Sequence, residues 1–182
     1  MHRIDRHGQR DLGAVMIFIA RADGWFDLGS RRVRCALGEA GVKPALEKRE
    51  GDMASPVGVW PIRRLLYRPD KGPKPATAIP SQALGLDDGW CEAPDHVDYN
   101  HQIKLPHPAS HERMWRDDDL YDLVLVLGHN DNPTVRSMGS AIFLHLARPG
   151  YSPTQGCVAL ARADIEALLA VVQPGDAVEI RP

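Results

Sequence analysis

Apolar residues come in short blocks rather than in long helical stretches. "LGAVMIFIA" (12–20) is continuous and rich in β-branched residues, as expected of a buried first strand. "GWFDLGSRRVRCALG" follows, with turn signals at Asp23-Gly24 and Gly29-Ser30, and predicts a further strand and a hairpin. "VWPIRRLLYR" (59–68) predicts a strand interrupted at Pro61, because proline lacks the N–H that a ladder needs. "YDLVLVLGHN" (121–130) and "GSAIFLHLAR" (139–148) predict two more strands, the second with period-two apolar residues around His145. "RADIEALLAVV" (162–172) sets Ile165, Leu168, Leu169 and Val172 on one face and is the one clear helix. "QPG" stops it, and "DAVEIRP" predicts a last strand.

Between these blocks, residues 69–111 carry little regular pattern. A loop this long inside one domain is uncommon and often functional. It is expected to fold over one face as an insertion, with "YNHQIKL" as its best strand. "SHERMWRDDDLYD" (110–122) predicts a short helical turn. Fifteen prolines and sixteen glycines cut the whole length into pieces, which favours strands and loops over a helix bundle. The expectation is a single domain over 1–182, mainly β with minor α, whose first ten residues are flexible.

Composition narrows the function classes. The chain has 182 residues, 22 basic and 24 acidic, for a net charge of −2. That balance gives no case for nucleic-acid or anionic-membrane binding. Charged runs such as "EKRE" (47–50) and "RDDD" (116–119) read as solvated surface. The apolar run at 14–20 is too short to span a membrane, and no convincing export signal follows it. The reading as written is therefore a cytoplasmic protein without a membrane segment, or a periplasmic one if an export signal precedes this sequence in the native protein. Cys35, Cys91 and Cys157 are odd in number and far apart, with no C-x-x-C, so reduced thiols are expected.

"HLARPGYSPTQGCVAL" (145–160) holds the candidate chemistry. His145 ends an apolar strand, where a polar side chain can project into a cleft. Gly156 lets the backbone bend closely behind Cys157, which can aim the two N–H groups of 156 and 157 at a developing oxyanion. A thiol titrates near 8.5 and reacts as the thiolate, so it needs a base, and an imidazole on the adjacent strand can serve. Against this, a lone cysteine after a turn is more often a small buried residue, and a lone strand histidine a structural one.

The pair resembles the signature of the L,D-transpeptidases, the YkuD-type catalytic domain. There a histidine after an apolar strand precedes a Ser/Thr-x-Gly-Cys-apolar motif, matched here by "SAIFLH" and by Thr154, Gly156 and Cys157. "KREGDMASPVGVW" is similar to the family's Gly-x-x-x-x-Pro-x-Gly-aromatic loop. The resemblance covers roughly 11–182. It implies mixed β-sheets packed as a sandwich around a cleft and no cofactor. It also implies acyl transfer at the meso-diaminopimelate–D-alanine bond of peptidoglycan tetrapeptide stems, through a thioester on Cys157 with His145 as base and acid. Water as acceptor gives an L,D-carboxypeptidase; an amine gives a 3–3 cross-link. A cytoplasmic location would favour trimming of soluble muropeptides.

Two positions depart from the pattern. Gln155 stands where the family often has histidine, and Ala159 where arginine is common. Substrate-carboxylate recognition then falls to another group, with Arg148 and Arg162 as candidates beside Thr154 and Gln155. His129 either lines the cleft or starts the Asn-Asp-Asn-Pro turn. Trp90, Tyr99, Trp115 and Tyr121 form either a cleft wall or the insertion's own core. Two other readings stay open: a metal-dependent hydrolase using His107, His111, His129 or His145, and a non-catalytic peptidoglycan-binding module of the same fold.

Overall fold

The computed structural model describes residues 14–182. The N-terminal segment expected to be flexible (1–10) and the start of the 12–20 block lie outside the described residues. The first strands are β1 (Ile17–Arg21), β2 (Trp25–Asp27), β3 (Arg32–Ala36), β4 (Val42–Pro44) and the long β5 (Ser55–Tyr67). Three short strands come next: β6 (Ser81–Ala83), β7 (Asp88–Cys91) and β8 (Gln102–Lys104). β9 (His111–Arg113), β10 (Leu123–Leu127), β11 (Phe143–Leu146), β12 (Val158–Leu160), helix α1 (Arg162–Val171) and β13 (Ala177–Arg181) complete the order. The mainly β expectation holds, and α1 lies where the period-3.6 pattern places it.

The large sheet runs β10-β11-β12-β3-β2-β1-β13-β5, and β5 pairs with β10 as well, so the sheet returns on itself in a barrel-like ring. β5 makes this possible by its length. Its first half pairs with β13 and β4, its second half with β10 and β6. Pro61 does not interrupt it. The missing N–H costs nothing there, because the neighbouring Ile62 N–H reaches the Asp176 carbonyl and the Pro61 carbonyl takes the Gly128 N–H. Arg63 is the extra residue of a bulge, since Leu127 pairs with Ile62 and Val126 with Arg64. It turns out to grip Asp131 with two nitrogens.

β10 and β11 are buried on both faces. Leu123, Leu125, Leu127, Leu144 and Leu146 join one apolar cluster with α1, while Val124, Val126 and Phe143 join a second. This is why both strands read as nearly continuous apolar runs. α1 contributes Ile165, Leu168 and Leu169, all essentially fully buried, to the first cluster. Leu168→Ala is expected to cost about 2–5 kcal/mol, measured as a lower urea midpoint with an unchanged slope.

The second cluster is roofed by the insertion. Its core is a small antiparallel sheet, β8-β7-β9. The segment 110–122 is therefore not a helical turn: His111–Arg113 pair with Gly89–Cys91. Backbone pairing with a strand some twenty residues upstream overrides the local pattern. Trp90, on the central strand, packs edge-on against Phe143 of β11 at 4.9 Å. Cys35, Cys91 and Cys157 are all buried and unpaired with one another.

Candidate active site

β11 and β12 are parallel neighbours with His145 opposite Ala159. Cys157, two residues before Ala159, therefore shares a sheet face with His145 and Phe143. Both His145 and Cys157 line one cavity of about 400 Å³, between the ring and the insertion. The order of the chemistry in the sequence thus becomes a juxtaposition in space.

The turn before the thiol is built by Thr154. Its N–H reaches the Leu37 carbonyl and its own carbonyl takes the Glu39 N–H, so the loop is tied to the segment after β3. Its hydroxyl donates to the Cys157 carbonyl at 2.7 Å and accepts the Gly156 N–H at 3.1 Å. The expected pair of free N–H groups at 156 and 157 is thus altered: the Gly156 N–H is already donated to Thr154 Oγ1. Gly156 itself has φ +131°, and a Cβ there would fall 2.9 Å from the Ala54 carbonyl oxygen. Gly156→Ala is expected to lower activity by about tenfold or more, since either the turn or the 54–55 backbone must shift; a steady-state rate checks it.

The thiol is held on two sides. Cys157 Sγ donates to the Ala141 carbonyl at 3.2 Å and accepts the Phe143 N–H at 3.4 Å. Burial pushes the thiol up to about 12, and the charge of Glu112 adds to this. His145 Nδ1 lies 2.8 Å from the Leu146 carbonyl. A carbonyl only accepts, so Nδ1 carries the proton and Nε2 offers a lone pair. Burial pulls the imidazole down to about 4, with Arg116 and Arg148 adding to the effect. The resting site is therefore a neutral thiol beside a neutral imidazole whose free nitrogen is a base.

Charged groups that read as surface in the sequence turn out to line the site. Lys48, of the "EKRE" run, is 3 % exposed and faces the cavity. Asp52 holds it at 2.5 Å. Glu50 of the same run accepts the Tyr99 hydroxyl. Arg116, of "RDDD", lines the cavity, is gripped by Asp118 through two nitrogens, and lies over the Tyr121 ring at 5.1 Å. Tyr121 donates to Glu112 at 2.7 Å and stacks edgewise on His145 at 5.3 Å. Burial raises the Glu112 carboxyl. No motif marks Lys48, Arg116 or Glu112; their places around the cavity rest on partners that are visible only once the chain folds.

The substrate-binding candidates divide. Arg148, Thr154 and Gln155 line the cavity, and Arg148 makes no ion pair among the described residues. Arg162 does not line it: its guanidinium pairs with the buried Asp122 beside a separate hollow. His129 does not line it either. Its Nε2 meets the Met138 carbonyl at 2.9 Å and its ring stands edge-on to Trp60 at 4.7 Å, which makes it an anchor of the 128–142 loop. Of the aromatic residues, Tyr121 walls the cavity. Trp90 and Tyr99 are buried within the fold, and Trp115 lies beneath Arg68.

The histidines considered for a metal do not converge. His107 and His111 have ring centres 6.4 Å apart, and His129 and His145 lie in other surroundings. Among the described residues, one group does bring three possible ligands within 4.8 Å: His96, Asp98 and His107. There the lone pair of each Nδ1 already accepts a backbone N–H, from Asp98 and from Ala109, leaving the proton of each ring on Nε2.

The YkuD family model, described as the L,D-transpeptidase catalytic domain, matches residues 15–180. No curated protein matches the chain.

Proposed function

Because the chain belongs to the L,D-transpeptidase catalytic-domain family, we propose that Cys157 is the nucleophile of acyl transfer at the L,D bond of a peptidoglycan tetrapeptide stem. The observation that carries this is the placing of Cys157 and His145 on one face of adjacent strands, lining one cavity, with the imidazole's Nε2 left as a lone pair. Substrate entry shifts the thiol's donation from the Ala141 carbonyl to Nε2. Sulfur then attacks the meso-diaminopimelate carbonyl as its proton passes to His145. The C–N bond breaks, and D-alanine leaves with the proton from the imidazolium. Water or an amine then attacks the thioester carbonyl, giving its proton to His145; the C–S bond breaks, and the imidazolium returns that proton to the departing Cys157 sulfur. Arg148, Gln155 and Lys48 are the polar groups placed to hold the substrate's charged ends.

The test is incubation with a disaccharide-tetrapeptide, with and without an amine acceptor. Intact-mass analysis should show an acyl adduct on Cys157 together with free D-alanine. Release without acceptor reports the carboxypeptidase outcome, and a 3–3-linked product reports the transpeptidase outcome. Neither adduct nor D-alanine would overturn the reading.

A further inference from the structure

The thiol's hydrogen-bond partner, Ala141, has φ 53°, the left-handed region that a non-glycine residue avoids. Something must hold it there. Its N–H is donated to Asn100 Oδ1 at 3.0 Å. Asn100 belongs to the insertion, just before β8, and only 6 % of it is exposed.

Asn100 uses its full capacity. Oδ1 takes the Ala141 N–H and the Trp90 indole N–H, each at 3.0 Å. Nδ2 donates to the His129 carbonyl at 3.1 Å and to the Asn130 carbonyl at 2.8 Å. Two donors and two acceptor sites are filled, so the orientation of the amide is fixed. The contacts join three parts of the fold: the small sheet through Trp90, the end of β10 through residues 129 and 130, and the approach to β11 through Ala141. Trp90 also packs on Phe143, whose N–H is the other partner of the thiol.

We infer that Asn100 is a positioning residue for the nucleophile. By clamping both ends of the 128–142 loop it holds the Ala141 carbonyl against Cys157 Sγ and so sets the starting rotamer of the thiol. The insertion is then part of the catalytic framework as well as a roof over the second apolar cluster. This rests on Cys157 being the nucleophile, and the experiment separates the two ideas.

In Asn100→Ala, kcat for D-alanine release should fall about tenfold or more with KM within about twofold, as expected when positioning rather than binding is lost. Alkylation of Cys157 by a small neutral reagent at fixed pH should accelerate by about threefold or more, because the thiol is no longer held. Asn100→Asp retains acceptors for the Ala141 and Trp90 N–H groups and should keep kcat above that of Asn100→Ala. If Asn100→Ala does not fold, the same two measurements on Asn100→Asp against wild type decide. There kcat should still fall, because the clamp on residues 129 and 130 is lost. A folded variant with wild-type kcat and alkylation rate overturns the inference, as does failure of both variants to fold, which would assign Asn100 to stability alone. A wild-type protein that releases no D-alanine and forms no adduct overturns the nucleophile reading instead, while the alkylation arm still tests Asn100.

Discussion

Cys157→Ala is expected to abolish D-alanine release, by at least about a thousandfold, while the thermal midpoint stays within a few degrees of wild type. The first half follows from the proposed covalent mechanism: without sulfur no thioester would form, and the remaining polar groups would only bind. The second follows from the site. Cys157 is buried with a thiol of small volume, and its two hydrogen bonds are weak ones to sulfur. Alanine removes one heavy atom from a wall that already faces a cavity. D-alanine assayed alongside a melting curve checks both halves. Residual release near the wild-type rate in a folded variant would move the chemistry elsewhere.

The second large effect is on pH dependence. His145 is held neutral by burial, down to about 4 from an ordinary value of 6.5. Between these two values the unfolded chain binds a proton at this position that the folded chain does not. Stability therefore rises with pH across the window, and it is lost as pH falls from about 6.5 towards 4. The contribution is on the order of 3 kcal/mol. His145→Gln should flatten that part of the stability–pH curve measured by urea unfolding, and it should also remove activity. The thiol acts in the other direction. Because burial raises it to about 12, alkylation of Cys157 in the free protein should climb steadily through neutral pH without levelling off below about pH 9. A plateau near neutrality would mean a preformed thiolate–imidazolium pair, contrary to the neutral pair described above.

These effects rest on residues that were legible in the sequence to different degrees. β10, β11 and α1 were readable because each carries its burial in its own pattern: nearly continuous apolar runs on the strands, one apolar stripe on the helix. Cys157 and His145 were readable because the motif and the strand edge lie close together in sequence. Lys48, Glu112 and Arg116 were not. A charged residue in a polar run looks solvated, and what buries it is an ion partner or a neighbouring strand fixed by tertiary contacts. Asn100 was hidden for the same reason, since its four partners come from residues 90, 129, 130 and 141. The continuity of β5 through Pro61 depended on hydrogen bonds of Ile62 and Pro61 to the distant Asp176 and Gly128. Arg162 misled because nearness to Cys157 in sequence is not nearness in space; α1 carries it to Asp122.

The ring also bears on how a peptide enters. β11 lies between β10 and β12, and β12 between β11 and β3, so both backbone sides of the strand that carries His145 and of the strand that follows Cys157 are already bonded. A substrate cannot dock beside them as an added strand, the mode that reads an extended L-peptide through its main chain. On the proposed reading, a stem peptide reaches the thiol through the cavity that His145 and Cys157 line.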